Sequence, residues 1–382
     1  MIDVFTCFTD EVEDVDVAVE DIKCGLANMV LAANSVGILH CDSGYVESGV
    51  VKAVCGILPF EVVGCTTLSA STNGGMGFIL TLTVLTSDDT EFVIGFSPEI
   101  DDDDPRKPVD ELYEKFAARM ERPKMLMVFP PFPRNFGGDA FVRALDACSG
   151  GVPIFGALAI SNDPDYKYSY TFHNGVHFER SLVLLGLYGD VDPYFFSASI
   201  ELTDILKQHA IVTGSHRNIV TSINNMPALD YFESVGLTNK QNQGALEGLA
   251  MIFSPREGPM LIRFCIDHNP DESIIMTGEV PEGSSLAISA IGPDTIMRST
   301  EEKICEALSV ARGRGMLMYS CAARSWTLGI YGMNEHEKAA ECIGKASPYH
   351  LAYCAGELIP ARYGDNSLSN VLQGGSLIIC VL

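Results

Sequence analysis

The sequence predicts an α/β fold with mixed sheets and α+β character, in two domains assembled from duplicated strand-helix-strand-hairpin units. Three stretches carry this expectation. Each has a short apolar strand, a helix, a second apolar strand ending in small residues, and a further hydrophobic strand after a polar loop. The first comprises residues 37–41, 60–67 and 77–85, the second 125–129, 152–159 and 181–187, and the third 316–320, 349–357 and 376–382. Their spacing varies by several residues, which indicates duplication of a large unit rather than a solenoid of fixed period. Copies of this kind predict a pocket between them.

The elements follow in order along the chain. Residues 2–8 alternate as a strand, and Val17, Val19, Ile22, Leu26 and Val30 form the apolar stripe of a helix. The acidic run 101–104 followed by Pro105 reads as a solvated loop leading into a helix over about 109–120. His173-Asn174-Gly175 predicts a tight hairpin, because Asn-Gly accepts the positive φ angles of a two-residue turn. Asp190 to Pro193 breaks the pattern, and a domain boundary is expected near residue 203. Beyond it, residues 209–223 read as two strands around Ser215-His216-Arg217-Asn218, and Pro227 opens a helix through Phe232. A turn at Pro281-Glu282-Gly283 leads into a strand over 285–290, and Thr300-Glu301-Glu302 opens a helix running to Ala311.

Composition narrows the function classes. The formal net charge of −25 repels nucleic acid and anionic lipid, so neither is expected as a partner. No apolar run approaches the ~18 residues of a membrane span, and no secretory leader is expected at the N-terminus. The 12 cysteines are scattered without a C-x-x-C pair, the pattern of reduced, buried thiols, and a cytoplasmic location fits them. No metal site and no cofactor are expected. Walker, Rossmann, His-Glu-x-x-His and Gly-x-Ser-x-Gly signatures do not occur, and no catalytic residue is assigned.

What remains is a set of small and polar residues at strand ends: Gly64, Cys65, Thr66, Thr67, Gly156, Ser320, Cys321, Arg324, Gly356, Glu357 and Asn370. Small residues let a ligand approach the backbone. Arg324 and Glu357 suit the carboxylate and ammonium ends of a zwitterion, or alternatively pair with each other and brace the fold. A substitution Arg324→Ala is expected to weaken ligand binding without unfolding the chain. A second reading is a cysteine-dependent hydrolase or transferase using Cys321 or Cys65, with Arg324 near the Cys321 thiol.

The segments Val63-Gly64-Cys65-Thr66-Thr67, Ile154-Phe155-Gly156-Ala157-Leu158-Ala159, Val212-Thr213, Asn225-Met226-Pro227-Ala228-Leu229, Val280-Pro281-Glu282-Gly283, Ser320-Cys321-Ala322-Ala323-Arg324 and Gly356-Glu357-Leu358-Ile359-Pro360 resemble, in that order, the FIST sensory family. The resemblance implies an N-terminal FIST domain over 1–203, with units of about 1–100 and 101–203, and a C-terminal one over 204–382, with a third unit over about 285–382. It also implies an intracellular sensor of a small ligand, an amino acid or similar polar metabolite, that is not an enzyme. No fused output segment is recognised, so signalling through a separate protein in trans is expected; a homo-oligomer stays open. A haem-binding gas or redox sensor using His209, His216 or His350 is a third reading that the resemblance leaves open.

Overall fold

In the computed structural model the chain is mixed α/β, as the sequence predicts. The structure describes residues 2–382 apart from 102–103, 134, 164–165, 200–204, 239–245, 247–248, 257–259, 290–291, 330–332 and 363–367. The expected boundary at 203 and the centre of the acidic run therefore lie outside the described residues.

The first unit comprises β1 (Asp3–Thr9), α1 (Val15–Leu26), β2 (Asn34–Cys41), α2 (Gly44–Glu47), α3 (Val50–Ile57), β3 (Glu61–Thr66), β4 (Ala70–Thr72), β5 (Gly75–Gly77) and β6 (Leu80–Ser87). The second comprises β7 (Thr90–Phe96), α4 (Arg106–Ala117), β8 (Met125–Phe129), α5 (Asp139–Ser149), β9 (Ile154–Ala157), β10 (Thr171–His173), β11 (Val176–Phe178) and β12 (Val183–Gly189). The third opens with β13 (Tyr194–Ala198) and is then interrupted by a β-rich insert. The insert holds β14 (Ile205–His216), β15 (Ile219–Ile223), β16 (Met226–Pro227), α6 (Ala228–Ser234), β17 (Ala250–Ser254), β18 (Leu261–Arg263), β19 (Cys265–His268), β20 (Ile274–Met276) and β21 (Ser285–Ser289). The third unit resumes with α7 (Pro293–Ala311), β22 (Met316–Cys321), α8 (Ala322–Leu328), α9 (Met333–Ile343), β23 (Tyr349–Cys354), β24 (Glu357–Arg362), β25 (Leu368–Gln373) and β26 (Leu377–Val381).

Local chemistry explains several boundaries. Asp14 caps α1 by accepting from the Asp16 and Val17 amides, and Asp104 accepts the Arg106 amide at 3.0 Å at the start of α4. Asn174 and Gly175 both take positive φ, at 50° and 77°, which is the two-residue turn that the sequence predicts. Helix α7 begins two turns earlier than Thr300, with proline in its first turn, where the missing amide costs nothing.

Each unit builds a sheet around a parallel pair: β2 with β3, β8 with β9, β22 with β23. The strand orders are β1-β6-β2-β3-β10-β11, β7-β12-β8-β9-β24-β25 and β13-β26-β22-β23-β4-β5. The hairpins are thus exchanged in a cycle. The hairpin of the first unit completes the third sheet, that of the second completes the first, and that of the third completes the second.

Alternation along these strands sorts side chains into layers. Met125, Met127 and Phe129 face a core shared by all three sheets, with Val36, Ile38, Leu317 and Tyr319. Leu126 and Val128 face outward onto α4 and α5 through Val109, Phe116 and Phe141. Because both faces are covered, the strands read as continuous apolar runs. Helices α1 and α3 cover the first sheet in the same way, and α7 and α9 the third. The insert has its own core around Phe232, Met251 and Phe253.

Gly64 and Gly156 occupy matching places, opposite Leu39 and Val128 in the parallel pairs. A Cβ would stand 1.8 Å from the Leu39 carbonyl oxygen in one case and 1.9 Å from that of Val128 in the other. Their absent side chains let two strands close up. Gly156→Ala is expected to cost about 1–3 kcal/mol or more through overpacking, read as a lower urea midpoint at unchanged slope. An unchanged midpoint would show that β8 and β9 separate without penalty.

Candidate functional site

Small residues at the carboxyl ends of the parallel strands allow the three units to meet closely. The Thr67 amide bonds to Cys41 O at 2.8 Å, Leu68 to Tyr353 O at 3.1 Å, Ile160 to Thr66 O at 3.1 Å and Leu158 to Gly356 O at 3.0 Å. Leu68, Ile160, Ala322 and Tyr353 pack together at this junction, with Tyr166 and Ala355 against them. The insert lies over it and supplies Phe264, Cys265, Ile266 and Thr277 to a crevice of about 30 Å³. Cys321, Ala322, Ala323, Trp326, Ala355, Ile160, Phe132 and Tyr166 form the rest of the wall. An adjoining polar cavity of about 300 Å³ shares Phe132 and Tyr166 and includes Asp101, Lys167, Glu179 and Arg180. A larger hollow, about 740 Å³, lies elsewhere, between β1 and the loop after α7. It contains none of the strand-end residues, and we do not assign the site there.

Arg324 and Glu357 do not pair. Arg324 is 1% exposed and is bonded to Glu335, itself 0% exposed, with Nη2 at 2.7 Å and Nε at 3.1 Å from Oε1. Thr300 donates to the same oxygen at 2.7 Å and accepts from Arg324 Nη2 at 2.8 Å. Ser320 and the Tyr353 hydroxyl donate to Oε2 at 2.9 Å and 2.7 Å. Burial alone would raise the pKa of Glu335, but the Arg324 charge and these hydrogen bonds outweigh it and hold the carboxyl below its ordinary value.

Glu357 has a different environment. It accepts from the Ser376 hydroxyl at 2.6 Å and touches the Cys354 thiol at 3.6 Å. Burial pushes its pKa up to about 8, so at neutral pH the carboxyl is mostly protonated. Burial, and then Glu357, push the Cys321 thiol well above its usual value, and burial does the same to Cys65. Both thiols are held protonated, the state opposite to that of an activated nucleophile.

Backbone bonds bring Thr66, Thr67 and Gly356 to the junction, Cys321 lines the crevice, and Ser320 and Arg324 bond Glu335. Thr66 exchanges bonds with the Tyr170 backbone, while the buried Thr67 hydroxyl has no partner among the described residues. Cys65 turns into the shared core toward Ala157 O. Asn370 lies apart, at the amino end of β9, where it bonds the Ile154 amide at 2.9 Å, Val152 O at 2.9 Å and Asp146 at 2.5 Å.

Among the histidines weighed as haem ligands, His350 is buried and stacked on His40 at 4.6 Å, and His216 is exposed. The side chain of His209 lies outside the described residues. Among the described residues no group of three His, Cys, Asp or Glu is placed to hold a metal ion, and no helix is long and apolar enough to cross a membrane.

Sequence reasoning missed Glu335, Thr300 and Tyr353, and the rings Phe132, Tyr166, Phe264 and Trp326. Trp326, two residues beyond Arg324 and the single tryptophan of the chain, was the one available signal.

Three α/β units that exchange hairpins, with a β-rich insert laid over the ends of their parallel strands, define a two-part α/β module. The chain belongs to the FIST family: the FIST N domain matches residues 35–226 and the FIST C domain residues 227–360. FIST domains are associated with small-ligand sensing in signalling proteins. No curated protein sequence matches the chain. Among solved structures, T. maritima PurL complexed with ATP is 11% identical at a TM-score of 0.17, over 99% of this chain and 70% of that one. T. maritima PurL complexed with FGAR is 9% identical at 0.19, over 99% and 72%. Likeness at that level carries no argument about fold or activity.

Proposed function

We propose that this FIST chain senses a small polar metabolite of amino-acid size at the junction beneath the insert and passes its state to a separate output protein. The observation that supports this reading most is the meeting of strand ends from all three units, with Cys321, Ala322 and Ala323 forming one wall of a crevice whose other wall is the insert. Carboxyl ends of parallel strands are where open α/β sheets place ligands. A ligand held between two bodies shifts an equilibrium between their arrangements only by binding one better than the other, and a site with one wall on each body meets that condition. The Thr67 hydroxyl, buried one residue before Leu68 of the junction, has no partner among the described residues.

A thermal-shift screen of the protein against the amino acids at millimolar concentration, followed by calorimetry, tests the proposal. A ligand at ~100 times its dissociation constant adds about 2.7 kcal/mol of stability, a clear rise in melting temperature. No rise with any of them would remove the amino-acid reading.

A further inference from the structure

Four aromatic rings wall the crevice: Phe132, Tyr166, Phe264 and Trp326. Phe132 and Tyr166 stack with centroids 4.6 Å apart, Phe264 is 2% exposed, and Trp326 is 46% exposed. The Thr277, Cys265 and Cys321 side chains of the crevice are already engaged. The Thr277 hydroxyl accepts the Phe264 amide at 3.1 Å, the Cys265 thiol donates to Asp267 O at 3.4 Å, and the Cys321 thiol bonds Glu357. A zwitterionic head placed there would lose its hydration with little to replace it. A flat ring would instead gain face and edge contacts with the surrounding rings. Charged groups of both signs lie across the Phe132–Tyr166 stack, in the adjoining cavity with Asp101, Glu179 and Arg180.

We infer that the ligand carries a flat unsaturated ring beside its zwitterionic head, the chemistry of an aromatic amino acid. The ring enters between Trp326 and the Phe132–Tyr166 stack, and the head stays in the polar cavity. This inference rests on the small-ligand reading above and narrows it. The crevice, at about 30 Å³, holds little more than a water, so the ring displaces the half-exposed Trp326 as it enters.

Trp326 is the chain's single tryptophan, so its fluorescence reports this movement alone. L-Phenylalanine, L-glutamate and L-lysine are titrated into the protein, with emission and heat recorded in parallel. The expected result is a change in Trp326 emission with L-phenylalanine and an affinity at least about tenfold above the other two, the scale of one good ring contact. Trp326→Ala is expected to lose about that factor in heat-detected affinity for L-phenylalanine while melting within a few degrees of the parent. Equal affinity of W326A and parent overturns the inference. So does tighter binding of glutamate or lysine with Trp326 emission unchanged, an outcome that leaves the small-ligand reading standing. No binding by any of the three overturns the inference, and the thermal-shift screen of the full set then decides whether the amino-acid reading stands.

Discussion

Glu335→Ala is expected to lower stability by about 3–5 kcal/mol, because it leaves the Arg324 guanidinium buried without its counter-charge. Arg324 is 1% exposed, and its shortest contact is to Glu335 at 2.7 Å, so solvent offers no replacement. Arg324→Ala is expected to cost a similar amount by stranding Glu335 among Ser320, Thr300 and Tyr353. That revises the expectation that this change would spare the fold, since the arginine's partner is buried rather than a dissolved ligand. Replacing both with apolar residues of similar volume, Arg324→Met with Glu335→Leu, is expected to recover most of the loss. Urea unfolding of the single variants and the pair measures this. Single variants within about 1 kcal/mol of the parent, the range of exposed ion pairs, would show that the pair is solvated. The acid side gives a second readout. With its folded pKa lowered, Glu335 contributes stability above the ordinary carboxylate value, and that contribution is lost as pH falls through the folded value.

A stability maximum near pH 6.5 is the second large effect expected. Glu357 is raised from 4.5 to about 8, so between those values the unfolded chain has released a proton that the folded chain keeps. Stability from this group therefore falls as pH rises, by about 1.4 kcal/mol per pH unit and about 2 kcal/mol between pH 6.5 and 8. The buried histidines act with the opposite sign. Burial lowers His336 to about 4 and His350 to about 3, and it holds His40 well below 6.5, with His350 beside it adding to the effect. Below pH 6.5 the unfolded chain takes up protons at all three while the folded chain does not, so stability falls as the solution is acidified. Three histidines against one carboxyl make the acid limb the steeper. Glu357→Gln should abolish the alkaline decline up to pH 8 and steepen the acid limb between pH 5 and 6.5 by about 1.4 kcal/mol per pH unit, since Glu357 opposes the histidines there. Unfolding free energies from pH 5 to 8 decide it, and an equal alkaline slope in both proteins would show that Glu357 is ionised when folded.

The sequence by itself determined the repeated unit and its local punctuation. Continuous apolar strands such as 125–129 and 181–187 could only be covered on both faces, and Asn174-Gly175 could hardly be anything but a tight turn. It also marked the strand ends that meet at the junction, because close approach demands small residues there. Tertiary structure alone decided which strands are neighbours. The alternation in 171–178 is the same whichever sheet the hairpin completes, and nothing local says that β13 belongs with strands more than a hundred residues away. It also decided the fate of the charges. Arg324 chooses Glu335 over Glu357 because helix α9 carries that carboxylate within reach of the guanidinium, whereas burial holds Glu357 neutral despite the hydrogen bonds from Ser376 and two thiols that favour its charge. Pairing and burial are set by three-dimensional proximity, and a linear pattern of polarity contains the need for a partner but not the partner's address.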